Sequence, residues 1–141
     1  LTGVVAIVNS SNNYMRVTSN NGLSFNSSYR DDYALFAVRN IGGRISLISK
    51  YLKSGKHVNM YYIDDVMCKG PGGGLSLGVQ RRNDGRFNLT ISGYQGQNGE
   101  THYMSSEAGN AAYGGSLAVR KSADASCHLK IEKLYVCINL Y

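Results

Sequence analysis

Tryptophan is absent, proline occurs once and histidine three times in a chain of 141 residues. The histidines, His57, His102 and His128, have spacings that fit no helical or hairpin metal motif, so no metal is expected and no cofactor is implied. Cys68, Cys127 and Cys137 are too few and too irregular for a disulfide framework, and at most one bridge can close within a monomer. No run approaches the roughly 18 apolar residues of a membrane span, so membrane insertion is not expected. The opening segment LTGVVAIVNSS lacks the basic start and long apolar stretch of a secretory signal. The expectation is a soluble protein, secreted or cytoplasmic, from which any leader has already been removed. Three Asn-x-Ser/Thr sequons, at Asn9, Asn26 and Asn88, mark a secreted glycoprotein only if they are used.

What the chain does have is tyrosine (11) and glycine (17), the composition of a turn-rich β protein. A length of 141 residues suits one domain, 1–141. Apolar residues alternate with period two, the mark of strands buried on one face. The first set comprises Val5 and Ile7, Met15 and Val17, Leu23 and Phe25, Phe36 and Val38. A second set holds Ile45 and Leu47, Val58 and Met60, Val66, then Leu77 and Val79. The third holds Phe87, Leu89 and Ile91, then Met104, Leu117 and Val119, and finally Leu129 and Ile131. Equivalent positions recur: 40 residues separate Val5 from Ile45 and 42 separate Ile45 from Phe87. Likewise 41 separate Phe36 from Leu77 and 52 separate Leu77 from Leu129. The surplus in the third set falls in two polar, glycine-rich segments, GYQGQNGE (93–100) and EAGNAAYGG (107–115), expected to be surface loops. Turn chemistry separates strand pairs at Asn20-Asn21-Gly22, Ile41-Gly42-Gly43 and Asn83-Asp84-Gly85.

A four-strand unit is too small to bury its own apolar face, so three units must share one core, and a closed barrel also removes exposed strand edges. The expected fold is all-β and resembles the β-trefoil: twelve strands in three pseudo-symmetric four-strand units, near 1–41, 42–84 and 85–141. Six strands would form a short barrel and six the hairpins that cap it. Segments 13–49 and 102–134 resemble the fascin-like branch of the β-trefoils. The features carrying this are Tyr14-Met15, Gly22-Leu23, Asp31-Asp32, Phe36-Ala37-Val38 and Gly42-Gly43-Arg44-Ile45-Ser46-Leu47. The middle unit departs from the pattern, with His57 in place of the tyrosine and KGPGGG (69–74) interrupting its third strand.

Catalytic machinery is not evident, and the chain is expected not to be an enzyme. Cys127 lies beside His128, but neighbours in a strand point to opposite faces and cannot form a hydrogen-bonded dyad. KGPGGG places its lysine before the glycines and precedes no helix, unlike a phosphate-binding loop. Asp31-Asp32, Asp64-Asp65 and Asp124 fall at similar places before the closing strand of each unit, where aspartate either caps a turn or accepts hydrogen bonds from a ligand. Repeated polar sites suit a repeated ligand through avidity, and sugars require acceptors for their hydroxyls beside an aromatic face. Asp32 with Tyr33, Asp65 with Tyr61 or Tyr62, and Asp124 with His128 or Tyr113 supply both.

This reading makes the protein a carbohydrate-binding, lectin-like module with up to three related sites and glycans or glycoproteins as partners. The Gln-x-Trp motif of ricin-type trefoil lectins and the His-Pro-x-Gly-Gly signature of mussel lectins are both absent. The fascin resemblance implies instead an actin-binding or bundling module, which as a lone domain would act as a homodimer. Its basic residues would be Arg81, Arg82, Arg86, Lys53 and Lys56. A receptor-binding growth-factor or cytokine-like trefoil, with Arg120-Lys121 toward a polyanion, and a protease inhibitor are further alternatives. The net charge of +6 suits a polyanionic partner, although the basic residues are scattered.

Overall fold

The structure is a computed structural model, which describes residues 3–18, 22–49, 57–62, 65–69, 75–92, 101–107, 118–120 and 123–134. For 57–62, 65–69, 92 and 118–120 the description is of the backbone. The strands are β1 (Gly3–Val8), β2 (Tyr14–Val17), β3 (Leu23–Ser27), β4 (Phe36–Ile41), β5 (Arg44–Ser49) and β6 (His57–Tyr62). They continue as β7 (Asp65–Lys69), β8 (Gly78–Arg81), β9 (Phe87–Ser92), β10 (Thr101–Ser105), β11 (Ala118–Arg120) and β12 (Lys130–Leu134). Short 3-10 turns at Asp32–Ala34 and Ala125–Cys127 precede β4 and β12, and the described residues contain no α-helix.

The protein is all-β, and its strands fall on the segments of alternating hydrophobicity. In β2 the buried Met15 and Val17 alternate with half-buried Tyr14 and Arg16. In β5 the buried Ile45, Leu47 and Ser49 alternate with more exposed neighbours. Two sheets are paired internally, β3-β2-β1-β4-β5-β6-β7 with β12 on β1, and β11-β10-β9-β8. Two isolated bridges join them. Ile45 and Leu77 exchange both backbone hydrogen bonds at 2.9 and 2.8 Å, and Phe87 and Leu129 do so at 2.7 and 2.9 Å. The path β1-β4-β5-β8-β9-β12 therefore returns to β1, leaving β2-β3, β6-β7 and β10-β11 as hairpins off the ring. This β-trefoil-like arrangement gives the ring strands no free edge.

Val5 pairs with Phe36, so the ring contains three cross-strand pairs built from the recurring apolar positions: Val5·Phe36, Ile45·Leu77 and Phe87·Leu129. Phe36, Leu77 and Leu129 are all fully buried in one core cluster with Val5, Ile45, Met15, Leu47, Leu89 and Met104.

Turns follow their sequence chemistry where they are described. Gly42 and Gly43 both have positive φ, +61° and +86°, which a two-residue hairpin loop requires. At the β8-β9 turn, Gly85 has φ +80° and donates to the Arg82 carbonyl, while Arg82 donates to Arg86. The Asp84 carboxylate accepts the Arg86 N–H at 3.0 Å and Arg82 Nε at 3.3 Å. The Arg86 N–H, more than the Arg82 guanidinium, holds its pKa below the usual carboxylate value.

The segment 93–100 and most of 107–115, expected as loops, lie outside the described residues, as do 19–21 and 70–74. The sequons separate by environment. Asn9 is buried and accepts from Ser11 and Asn13 N–H, and Asn88 is also buried, whereas Asn26 is exposed on β3. Cys127 is fully buried, and its thiol donates to Asp124 Oδ1 at 3.9 Å. It belongs to a 3-10 turn, so the expectation that Cys127 and His128 are strand neighbours is corrected.

Phe36→Ala removes a fully buried ring and should lower unfolding free energy by about 3–5 kcal/mol in urea titration, with the slope unchanged.

Candidate functional site

The two 3-10 turns share one construction. The Asp31 side chain accepts from Tyr33 N–H at 3.1 Å, and the Asp124 side chain accepts from Ser126 N–H at 2.9 Å. The Asp31 carbonyl accepts from Ala34 and that of Asp124 from Cys127, both at 3.0 Å. Each aspartate is thus an N-cap satisfying a backbone donor that a short turn leaves orphaned. The match corrects the expected equivalence by one residue. Asp124 corresponds to Asp31, and Asp32, exposed at the start of its turn, corresponds to Ala125.

The neighbours of the two caps differ. Arg16 and Ser105 occupy the same place in their strands, each one residue beyond a buried methionine, Met15 opposite Phe25 and Met104 opposite Val119. In the first turn Arg16 Nε and Nη2 donate to Asp31 Oδ2 at 3.1 and 3.0 Å, and the guanidinium lies 4.4 Å from the Tyr33 ring centroid. The hydrogen bonds it donates to Asp31 raise the Arg16 pKa above its ordinary value, so this charge is permanent. In the last turn the same places hold a closed hydroxyl chain. Glu107 N–H donates to Ser105 Oγ, Ser105 and Ser126 hydroxyls lie 2.6 Å apart, and Ser126 Oγ donates to Asp124. Ser105 and Ser126 are buried, whereas Arg16 and Asp31 each keep 28% of their side chains exposed.

The exposed version opens into a pocket of about 240 Å³ lined by Arg16, Asn26, Ser27, Ser28 and Tyr29. Ser27 Oγ donates to the Tyr29 carbonyl at 2.7 Å, fixing the backbone that carries the Tyr29 ring, which is 66% exposed. An aromatic face, a guanidinium, an amide and hydroxyls therefore surround one small concavity. Beside it Tyr14 Oη donates to Glu132 on β12, and Arg30 pairs with the same carboxylate at 3.0 Å. Partial burial, then the bond to Glu132, raises the Tyr14 pKa.

Of the residues expected to bind ligand, Tyr33 and Asp32 are near this pocket in sequence, but Tyr33 lies beneath Arg16 and neither lines the cavity. Asp124 caps a turn whose neighbouring serines are buried, and His128 is its half-buried C-cap. Asp65 is not equivalent to either cap: it opens β7, opposite Tyr62 in the β6-β7 hairpin. The side chains of Tyr61 and Asp65 lie outside the described residues, as does Tyr113. Sequence reasoning missed Arg16, Asn26, Ser28 and Tyr29. The available signal was an arginine at an outward position of a strand otherwise alternating with buried residues.

No family model and no curated protein sequence matches the chain. Solved structures do. The chain is similar to SeviL bound to asialo-GM1 saccharide, with TM-score 0.69 and 15% identity, covering 96% of this chain and 100% of that one. It is similar to the Rhizoctonia solani agglutinin, with TM-score 0.68 and 14% identity, covering 95% and 96%. A third likeness, at TM-score 0.70 and 11% identity, is to a GlcNAcα1-4Gal-releasing endo-β-galactosidase from Clostridium perfringens, covering 94% of this chain and 32% of that one. The chain thus spans about a third of the galactosidase. At these identities the likeness is one of fold, and the fascin-like resemblance rests on sequence segments alone.

The raised Tyr14 pKa gives a signed pH dependence. The folded state holds the phenolic proton more tightly than the unfolded chain, so this contribution is complete below the unfolded phenol value and is lost as pH rises through the folded one. Stability should fall above about pH 10, and Tyr14→Phe should flatten that limb of the curve in thermal melts.

Proposed function

We propose that the chain is a non-enzymatic, carbohydrate-binding β-trefoil of twelve strands in three units, near 1–41, 42–84 and 85–141, with its principal sugar site in the first unit. The three cross-strand pairs at recurring positions and the two like-built aspartate caps support the three-unit reading. The carrying observation for function is the open pocket beside the Arg16-Asp31 pair, with the exposed Tyr29 ring at its edge. Tyr29 offers an apolar face to the C–H side of a pyranose, and Arg16, Asn26 and Ser28 offer hydrogen bonds to its hydroxyls. Asp31 neutralises Arg16, which suits an uncharged sugar better than an acidic one. The proteins of similar fold include an agglutinin and one bound to a saccharide, which supports a glycan partner.

One site is a departure from the three expected from repeat symmetry. Counting back from Leu77 as Asp31 and Tyr33 count back from Phe36 reaches Gly72 and Gly74, which carry neither carboxylate nor ring. In the third unit the hydroxyl chain closes the corresponding place. A monomer then binds one sugar, and multivalent behaviour requires association of chains.

Glycan-array screening identifies the saccharide, and titration calorimetry with it should give about one site per chain. Arg16→Ala and Tyr29→Ala should each weaken binding by about 1–3 kcal/mol, whereas Asp124→Ala should lower stability by about 1 kcal/mol and leave affinity unchanged. Three equal sites, or full binding by both pocket variants, would sink this reading.

A further inference from the structure

A second surface lies apart from the sugar pocket, at the end of the ring where its hairpins turn. The antiparallel bridge Ile45·Leu77 runs β5 against β8, so the β4-β5 tip and the β8-β9 tip extend toward the same end. Arg44, at the β4-β5 turn, holds the chain entering β8, donating from Nε to Ser76 Oγ at 2.8 Å and from Nη2 to the Ser76 carbonyl at 2.9 Å. The bridge Phe87·Leu129 likewise sends β12 toward that end. Counting from the three bridged pairs, Arg81 and Lys133 hold matching positions four residues beyond Leu77 and Leu129, and Arg44 and Arg86 hold matching positions before Ile45 and Phe87.

Arg39, Arg44, Arg81, Arg82, Arg86 and Lys133 therefore gather at one end of the ring. Among the described residues the acid there is Asp84, already engaged by Arg82, while the Glu132 carboxylate, next to Lys133 in sequence, is engaged by Tyr14 and Arg30. Arg39 and Arg81 are exposed and make no ion pair among the described residues. Between Arg39 and Arg44 stands Ile41, 65% exposed at the mouth of the Gly42-Gly43 turn and directly opposite Arg44. Arg39 and Ile41, two residues apart on β4, share one face. A soluble polyanion would use the cations and leave this isoleucine in water. A bilayer interface uses both, because anionic headgroups attract the arginines while the apolar tip enters the headgroup–acyl boundary.

We propose that this hairpin end is a peripheral docking surface for anionic lipid membranes. The interaction is adsorption by a loop tip, independent of the sugar pocket. The test is flotation of the intact protein with sugar-free vesicles of phosphatidylcholine, with and without phosphatidylserine. The protein should float with the phosphatidylserine vesicles, fail to float with phosphatidylcholine alone, and be released by salt. Each cation removed should weaken partitioning about fivefold, so the Arg39→Gln/Arg81→Gln double variant should lose about twenty-fold or more. Ile41→Ser should lose several-fold with an unchanged melting temperature, since the side chain is exposed. Failure to float with phosphatidylserine vesicles at low salt would overturn the proposal. So would floating that ignores Ile41→Ser, since that result assigns the surface to polyanions in general. Because the vesicles carry no sugar, neither outcome bears on the glycan reading.

Discussion

Closure of the ring through Val5·Phe36, Ile45·Leu77 and Phe87·Leu129 is the constraint on which the remaining structure depends. A strand quartet buries one apolar face only if other quartets supply the opposite wall. Two of the three junctions are single bridges rather than long ladders, so their persistence rests on the side chains behind them. Five of these six residues lie fully or almost fully buried, and Phe87 is half-buried. The hairpins off the ring inherit their positions from it. β2 reaches β12 through Tyr14 and Glu132, so a side-chain bond adds to the β1-β12 ladder in holding β12 against the first strands.

Much of this was legible as period-two alternation because burial on one face leaves a direct trace in sequence. Ile45 and Leu47, or Met15 and Val17, announce both a strand and its inward face. The described hairpin turns were legible for a similar reason: positive φ at Gly42, Gly43 and Gly85 restricts residue choice. The 3-10 turns were not. They span three residues, too short for any period, and their signature is a single aspartate. In the pair Asp31-Asp32 composition cannot say which carboxylate folds back on the backbone. Asp31 does, and the one-residue slip moved the expected equivalence onto Asp32.

Arg16 was hidden for another reason. Its role arises from a partner fifteen positions away, across a hairpin and a turn, and an outward arginine on a strand reads as solvated surface until Asp31 and Tyr33 are placed against it. Pockets formed by loop backbone, such as that carrying Asn26, Ser28 and Tyr29, leave no periodic trace at all. Fold was therefore more readable than site, since the fold depends on many residues of one kind and the site on a few residues of different kinds.

The paired turns also indicate how one folding device supports different surfaces. The N-cap must be retained wherever the chain enters a 3-10 turn, because its loss strands a backbone donor. The outward strand residue and the second residue after the cap carry no such duty. In the last turn both are serines, small enough to bury and to satisfy one another, and the place becomes an internal hydrogen-bond chain. In the first they are Arg16 and Tyr33, too large and too polar to bury, so they stay half-exposed, stack, and keep the neighbouring pocket open. Side-chain volume at two positions thus separates an open surface pocket from a structural joint, while the backbone beneath both is the same.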